Sequence, residues 1–264
     1  MHPAIASSFG SEVRRVDIPG GAMLYDASRS SKFTADWFEP GFWRDSQRIE
    51  GTAQGRGQTL FVDASGQRLA VRHYWRGGPL GRFIRDRYVW KDEAATRPFA
   101  EWRLTYILHR AGLPVPVPIA ARYRRHGMTY SGDFITERLH DTTSVSGRLA
   151  SGALPISTWV SIGRCLRRFH DFGLCHADLT ANNILLGPDD AVYLLDFDRG
   201  RLRKRGWWSD GNLVRLRRSL DKITLAFPPI RFTEPDWHSL LAGYRAGVSS
   251  SGAASVGTRA IAAR

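Results

Sequence analysis

The sequence predicts an α+β chain, with a β-rich N-terminal part and a mostly helical C-terminal part. Three observations carry that expectation. From Arg48 to Tyr74 short apolar runs are punctuated by Gly55, Gly57 and a Ser65-Gly66 turn, the mark of strands and hairpins. From Leu154 to Gly173 the period changes: Trp159, Ile162, Leu166 and Phe169 recur on one helical face, and Arg164, Arg167 and Arg168 lie off it. Between this helix and the next stands a turn-rich stretch, His176-Ala177-Asp178-Leu179-Thr180-Ala181-Asn182-Asn183, answered by Leu195-Asp196-Phe197-Asp198.

Taken in order, residues 1–45 form an N-terminal extension with strand candidates at Val13–Ile18 and Ala22–Tyr25. Asp36–Trp43 is unusually aromatic and reads as a packing plug; an anchor at a lipid interface is the sharper alternative. Residues 46–138 form a first lobe. It holds strands at Arg48–Gln54, Thr59–Val62 and Leu69–Tyr74, then a basic, aromatic segment at Leu80–Lys91. That segment is either solvated or a surface for an acidic substrate. A helix over Pro98–His109 stops at Ala111-Gly112, Pro114, Pro116 and Pro118 make an extended connector, and a strand pair turns at Gly127. Residues 139–248 form the second lobe. Gly173 closes its first long helix, and a hairpin follows, with Gly187-Pro188-Asp189-Asp190 as its turn. Arg199–Trp208 is a basic run, and helices are expected over Gly211–Phe227 and Phe232–Ala246. Ser249–Arg264, small and polar, is expected to be a disordered tail.

Composition narrows the function classes. Of 264 residues 42% are hydrophobic, enough for an ordinary core. No window reaches the ~20 apolar residues of a membrane span, and no secretory signal is evident at the N-terminus. Cys165 and Cys175, the two cysteines, fit neither a disulfide framework nor a zinc site. The net charge of +13 calls for an anionic partner, whether nucleic acid, membrane surface or phosphorylated substrate, unless it is simply an arginine-rich solvated surface.

The turn-rich stretch has the form H-x-D-L-x-x-x-x-N, followed by D-F-x. Asp178 precedes Asn183 by 5 residues and Asp196 by 18. Phosphoryl transfer from ATP needs such a set: one carboxylate for the acceptor hydroxyl, and an amide with a second carboxylate to hold Mg2+ on the phosphates. The hairpin is expected to bring Asp196 beside Asn183. In this frame Gly55 and Gly57 let backbone amides approach phosphate oxygens, Arg72 is the phosphate-binding cation, and Glu101 is its acidic partner. The backbone around Glu137 serves the adenine. Each residue has a plainer alternative: a hairpin turn, a capping aspartate, an exposed helix glutamate. Together, in this order and with a hairpin between, they point to ATP-dependent phosphoryl transfer.

With these residues in hand the chain resembles the lipopolysaccharide kinase family from about Asp36 to Lys222. The resemblance rests on Gly55-Arg56-Gly57, Arg72–Gly78, Arg87–Trp90, Gly112–Pro116, His176–Leu179, Leu195–Gly200 and the arginine-rich Asn212–Leu220. It implies a protein-kinase-like two-lobed fold, with a small β-rich N-lobe and a reduced, mostly helical C-lobe, and ATP-dependent phosphorylation, at O4, of 3-deoxy-D-manno-octulosonic acid (Kdo) on a lipid A precursor. It implies an anionic glycolipid partner, no nucleic acid, and peripheral work on the cytoplasmic face of a Gram-negative inner membrane. Asp178 would be catalytic, and Asn183 and Asp196 the metal ligands. Arg72 stands where protein kinases carry Lys, Asp198 where they carry Gly, and Ala177 where they carry Arg; no Ala-Pro-Glu follows. Constitutive activity without a peptide platform is therefore expected. The alternatives are a kinase for a heptose, a small molecule or a protein, and a non-catalytic basic binding protein.

Overall fold

The computed structural model describes residues 11–29, 33–54, 58–75, 86–226 and 232–246. Gly55 and Gly57, the glycines at 77 and 78, and the tail from residue 249 lie outside them. The chain divides into two compact units, residues 1–140 with 194–201, and residues 141–193 with 202–264. The architecture is α+β, sheet-rich in the first unit and helical in the second.

In the first unit, β1 (Val13–Ile18), β2 (Gly21–Asp26), β3 (Ile49–Gln54), β4 (Gln58–Ala64), β5 (Gln67–His73), β6 (Tyr88–Val89), β7 (Pro118–His126) and β8 (Thr129–Glu137) form one antiparallel sheet. Its order is β1-β2-β7-β8-β5-β4-β3, with β6 also paired to β8. The first two strands thus join the sheet that the later ones build. Side chains alternate across it. Leu60, Val62, Leu69, Val71 and Ile135 face one side, where Trp37, Phe38 and Trp43 cover them. These aromatics come from a short 3-10 turn and from α1 (Pro40–Asp45). Trp43 is fully buried and its indole N–H donates to Trp37 O at 2.8 Å, so the aromatic run is a core plug. On the opposite side Leu24, Ala121, Tyr123 and Phe134 pack against Phe99, Trp102 and Tyr106 of α2 (Arg97–Arg110). Proline near the start and Gly112 beyond the end bound that helix.

In the second unit, β9 (Thr143–Ser144), α3 (Val145–Ser151), α4 (Ile156–Phe172), β10 (Leu174–Cys175), β11 (Ile184–Leu186) and β12 (Val192–Leu194) precede α5 (Trp208–Ala226) and α6 (Glu234–Ala246). Ser144 caps α3 by accepting from Gly147 N at 3.1 Å. The long helix with the apolar stripe is α4, and Gly173 ends it in the left-handed region at φ 94°. Its closest neighbour is α6, because glycines face backbone on both sides. A Cβ on Gly163 would lie 2.0 Å from Leu240 O, and one on Gly243 would lie 2.1 Å from Val160 O. Both cysteines are free thiols, and burial pushes the Cys165 thiol up to about 12. Among the described residues no helix is long and apolar enough to cross a membrane.

Candidate active site

Each unit builds one cluster of functional side chains. In the first, Leu69 and Val71 point into the plug side, so Arg72 between strand neighbours must point toward α2. There its guanidinium meets Glu101 Oε2 at 2.6 Å and Asp196 Oδ1 at 3.3 Å. The Tyr74 hydroxyl donates to the same Glu101 oxygen in a short hydrogen bond. Tyr74 was not foreseen, though it lies two residues beyond Arg72 on the same strand face. The Glu101 side chain is 2% exposed, which excludes the plain reading of a solvated helix glutamate. Burial pushes its carboxyl up to about 7, against the pull of Arg72 and with added repulsion from Asp196 and Asp198. Burial alone would lower the Arg72 pKa; Glu101, Tyr74 and Asp196 reverse that and hold it well above its ordinary value.

Asp196 sits at φ 61°, a left-handed conformation that few non-glycine residues adopt. It is followed by buried Phe197 and then by Asp198, whose Oδ2 pairs with Arg97 at 3.0 Å. Burial raises the Asp198 carboxyl above the usual range, against Arg97. Its Oδ1 is buried without a hydrogen-bond partner among the described residues. Glu137 stands away from this cluster. It lies three rungs along β8 from Phe134, the residue opposite Arg72. Its own N–H donates to Val117 O at 2.9 Å, the N–H of Arg138 to Arg68 O at 2.9 Å, and its carboxylate accepts from Gln67 at 3.2 Å.

In the second unit, the loop after β10 is fixed from three sides. His176, 2% exposed, donates its backbone N–H to Asn212 Oδ1 at 3.1 Å, and Asn212 Nδ2 returns a bond to His176 O at 2.8 Å. The His176 ring accepts the Asp178 N–H on Nδ1 at 3.1 Å, so this histidine braces the loop backbone. Ser219 accepts from Ala181 N at 3.2 Å. Leu179 and Ala181, fully buried, anchor the loop from beneath. Asn183 donates its amide nitrogen to Asp178 O at 2.8 Å. That bond ties Asp178 and Asn183 together and leaves the Asn183 carbonyl oxygen without a partner among the described residues. The expected hairpin follows as β11 and β12, closed by Gly187 N to Ala191 O at 2.8 Å. A cleft of about 500 Å3 opens beside the loop, with Asp178 and Thr180 on one wall and Gly211, Arg215, Arg218 and Lys222 of α5 on the other. Asn212 and Ser219 gave no local signal of their role; only their place in the arginine-rich stretch of the resemblance singled them out.

In the first unit, the carboxylate of Asp196 and the unpartnered buried oxygen of Asp198 are hard oxygen donors of the kind a small divalent cation takes. No three His, Cys, Asp or Glu side chains cluster as a metal site among the described residues.

Residues 41–244 match the model of the lipopolysaccharide kinase (Kdo/WaaP) family. Among curated proteins, a 3-deoxy-D-manno-octulosonic acid kinase of Actinobacillus succinogenes is 44% identical over 216 residues, covering 79% of this chain and 90% of the relative. Its namesake in Haemophilus influenzae strain PittGG is 39% identical over 229 residues, 84% and 95% of the two chains. One from Stenotrophomonas maltophilia is 41% identical over 206 residues, 77% and 81%.

Proposed function

The chain belongs to the lipopolysaccharide kinase (Kdo/WaaP) family, and on that premise we propose that it transfers the γ-phosphoryl group of ATP to O4 of Kdo on a lipid A precursor, in lipopolysaccharide core assembly. The single observation that supports this most is Asp178, bonded to Asn183 and pinned to α5, at the wall of a cationic cleft inside the matched span.

In this reading Asp178 takes the proton of the acceptor hydroxyl as that oxygen attacks the γ-phosphorus. The bond to the β-bridging oxygen breaks and ADP leaves. Asn183 and Asp196 would hold Mg2+, which would neutralise charge on the phosphates. Asp198, with its unpartnered buried oxygen, is a further candidate ligand. Arg72, clamped by Glu101 and Tyr74, offers its remaining N–H groups to the α- and β-phosphates, as a guanidinium fork in place of the ammonium that protein kinases use. Gly55 and Gly57 cover the phosphates. With the N–H groups of Glu137 and Arg138 donated inside the sheet, the adenine contact falls to other groups of the segment 136–139. Ala177 leaves no arginine next to Asp178 to receive an activation-loop phosphate, so the enzyme is constitutively active. The fold is a two-lobed protein-kinase-like one, and the work takes place at the cytoplasmic face of a Gram-negative inner membrane, where a +13 chain gains from anionic lipid.

The test is transfer of labelled phosphate from ATP to a Kdo-bearing lipid A precursor. Asp178→Asn is expected to cost roughly 10²–10⁴-fold in kcat, the usual worth of a general base, with ATP affinity retained. Absence of transfer by the unmodified protein, or full activity in Asp178→Asn, defeats the proposal.

A further inference from the structure

The two faces of α5 treat their cations differently. Arg217 is fully engaged: Nε donates to Asp221 at 2.9 Å, an outer nitrogen to Glu234 at 2.7 Å, and the guanidinium lies 5.2 Å from the Phe232 ring and 5.5 Å from the Trp237 ring. Arg215, Arg218 and Lys222 are exposed, and among the described residues none has an ion-pair or hydrogen-bond partner. Their spacing of three and then four residues puts them on one side of the helix, where like charges repel. A helix that neutralises one arginine twice over and leaves its neighbours unpaired is holding charge for a ligand. All three line the cleft that Asp178 enters.

The dimensions narrow the ligand. Seven residues of helix span ~10 Å, more than one carboxylate or one phosphate occupies. An adjoining cleft of about 430 Å3 shares Arg218 and Lys222 and is lined by Leu225 and Ala226. Leu225 is 83% exposed and Val214, on the first cleft, 48%. Several separated anionic groups on a partly apolar body fit this surface, and a free nucleotide does not use its apolar rim. We propose that Arg215, Arg218 and Lys222 seat the phosphate groups of the acceptor glycolipid and thereby present its sugar hydroxyl to Asp178. These are specificity residues for the acceptor; they take no part in the chemistry. The inference rests on the acceptor reading above.

The experiment measures KM for acceptor and for ATP, with kcat, in mixed detergent micelles. It compares the unmodified protein, Arg218→Gln/Lys222→Gln, Arg215→Gln, and Arg217→Gln as the control. Loss of a charged contact raises the acceptor KM roughly tenfold. The double variant is expected to show that rise or more, Arg215→Gln a smaller one, and Arg217→Gln none. ATP KM stays unchanged throughout. With the same acceptor stripped of its phosphates, the unmodified protein and the double variant should converge. An unchanged acceptor KM, a loss confined to kcat, or a penalty that persists on the stripped acceptor overturns the proposal. Should the unmodified protein transfer nothing, the acceptor reading falls instead. Direct titration with the phosphorylated glycolipid then decides: tight binding by the unmodified protein, weakened roughly tenfold in the double variant, upholds the cation site, and equal or absent binding ends it.

Discussion

Replacing Asn212 with alanine isolates what holds the Asp178 loop in place. Asn212 is 5% exposed and bonds to both backbone groups of His176, itself 2% exposed. Alanine removes both partners, and water has little access to replace them. Each buried group left unpaired costs about 1–3 kcal/mol, so the loss of stability for the two should be about 2–6 kcal/mol. His176 Nδ1 holds the Asp178 N–H, so loosening the histidine backbone also frees the carboxylate two residues on. A misplacement near 1 Å costs on the order of 10²-fold in rate, and kcat should fall by between ten- and a hundredfold. Asn212→Asp sharpens the test. It keeps the acceptor for the His176 N–H but turns a carboxylate oxygen toward His176 O. It should be worse than alanine at neutral pH and improve in acid, where a protonated carboxyl can donate. Urea unfolding and steady-state kinetics give both readouts. A stability loss below about 0.5 kcal/mol, or a clear loss with kcat intact, would refute the claim that α5 positions the loop through this residue.

The remaining predictions concern packing and pH. Gly163→Ala places a methyl group 2.0 Å from Leu240 O, a backbone atom that cannot give way without separating α4 from α6; the cost should be about 3 kcal/mol or more, read as a lowered Tm. His170, buried and bonded through Nδ1 to the Tyr244 hydroxyl at 2.8 Å, has its pKa driven by burial from 6.5 down to about 4. The unfolded chain takes up that proton first, so its contribution, about 3 kcal/mol, is complete above pH 6.5 and lost as pH falls toward 4. Glu101 acts in the opposite sense. Its carboxyl rises from 4.5 to about 7, so the folded state binds the proton more tightly and stability declines as pH climbs through that interval. Denaturation from pH 4.5 to 7 should therefore be nearly flat for the unmodified protein, rise with pH in Glu101→Gln, and fall with pH in His170→Gln. Parallel profiles in all three would contradict both assignments.

The sequence alone determined the succession of elements and the register of the chemistry within them. Period-two alternation put Leu69 and Val71 on one face of β5 and so sent Arg72 to the other. Helical spacing marked α4, and Gly173 marked its end. The loop from His176 to Asn183 carried the pattern from which phosphoryl transfer was expected, by residue type and spacing, because those features span only a few positions. Element ends drifted where no local stop exists: α5 begins at Trp208, three residues before the expected Gly211. Partners distant along the chain were decided by the tertiary structure. Tyr74 on the buried Glu101, Arg97 on Asp198, Asn212 across 36 residues on His176, and the glycine pair between α4 and α6 all depend on which surfaces pack together. Likewise the sequence displayed a stretch rich in arginine, yet gave no reason to separate Arg217 from Arg218. Only packing against Glu234 and Phe232 neutralised the one and left the other charged beside Asp178. A charge in a sequence is a capacity to bind; whether a neighbour or a ligand takes it up is settled by the fold that decides what lies within reach.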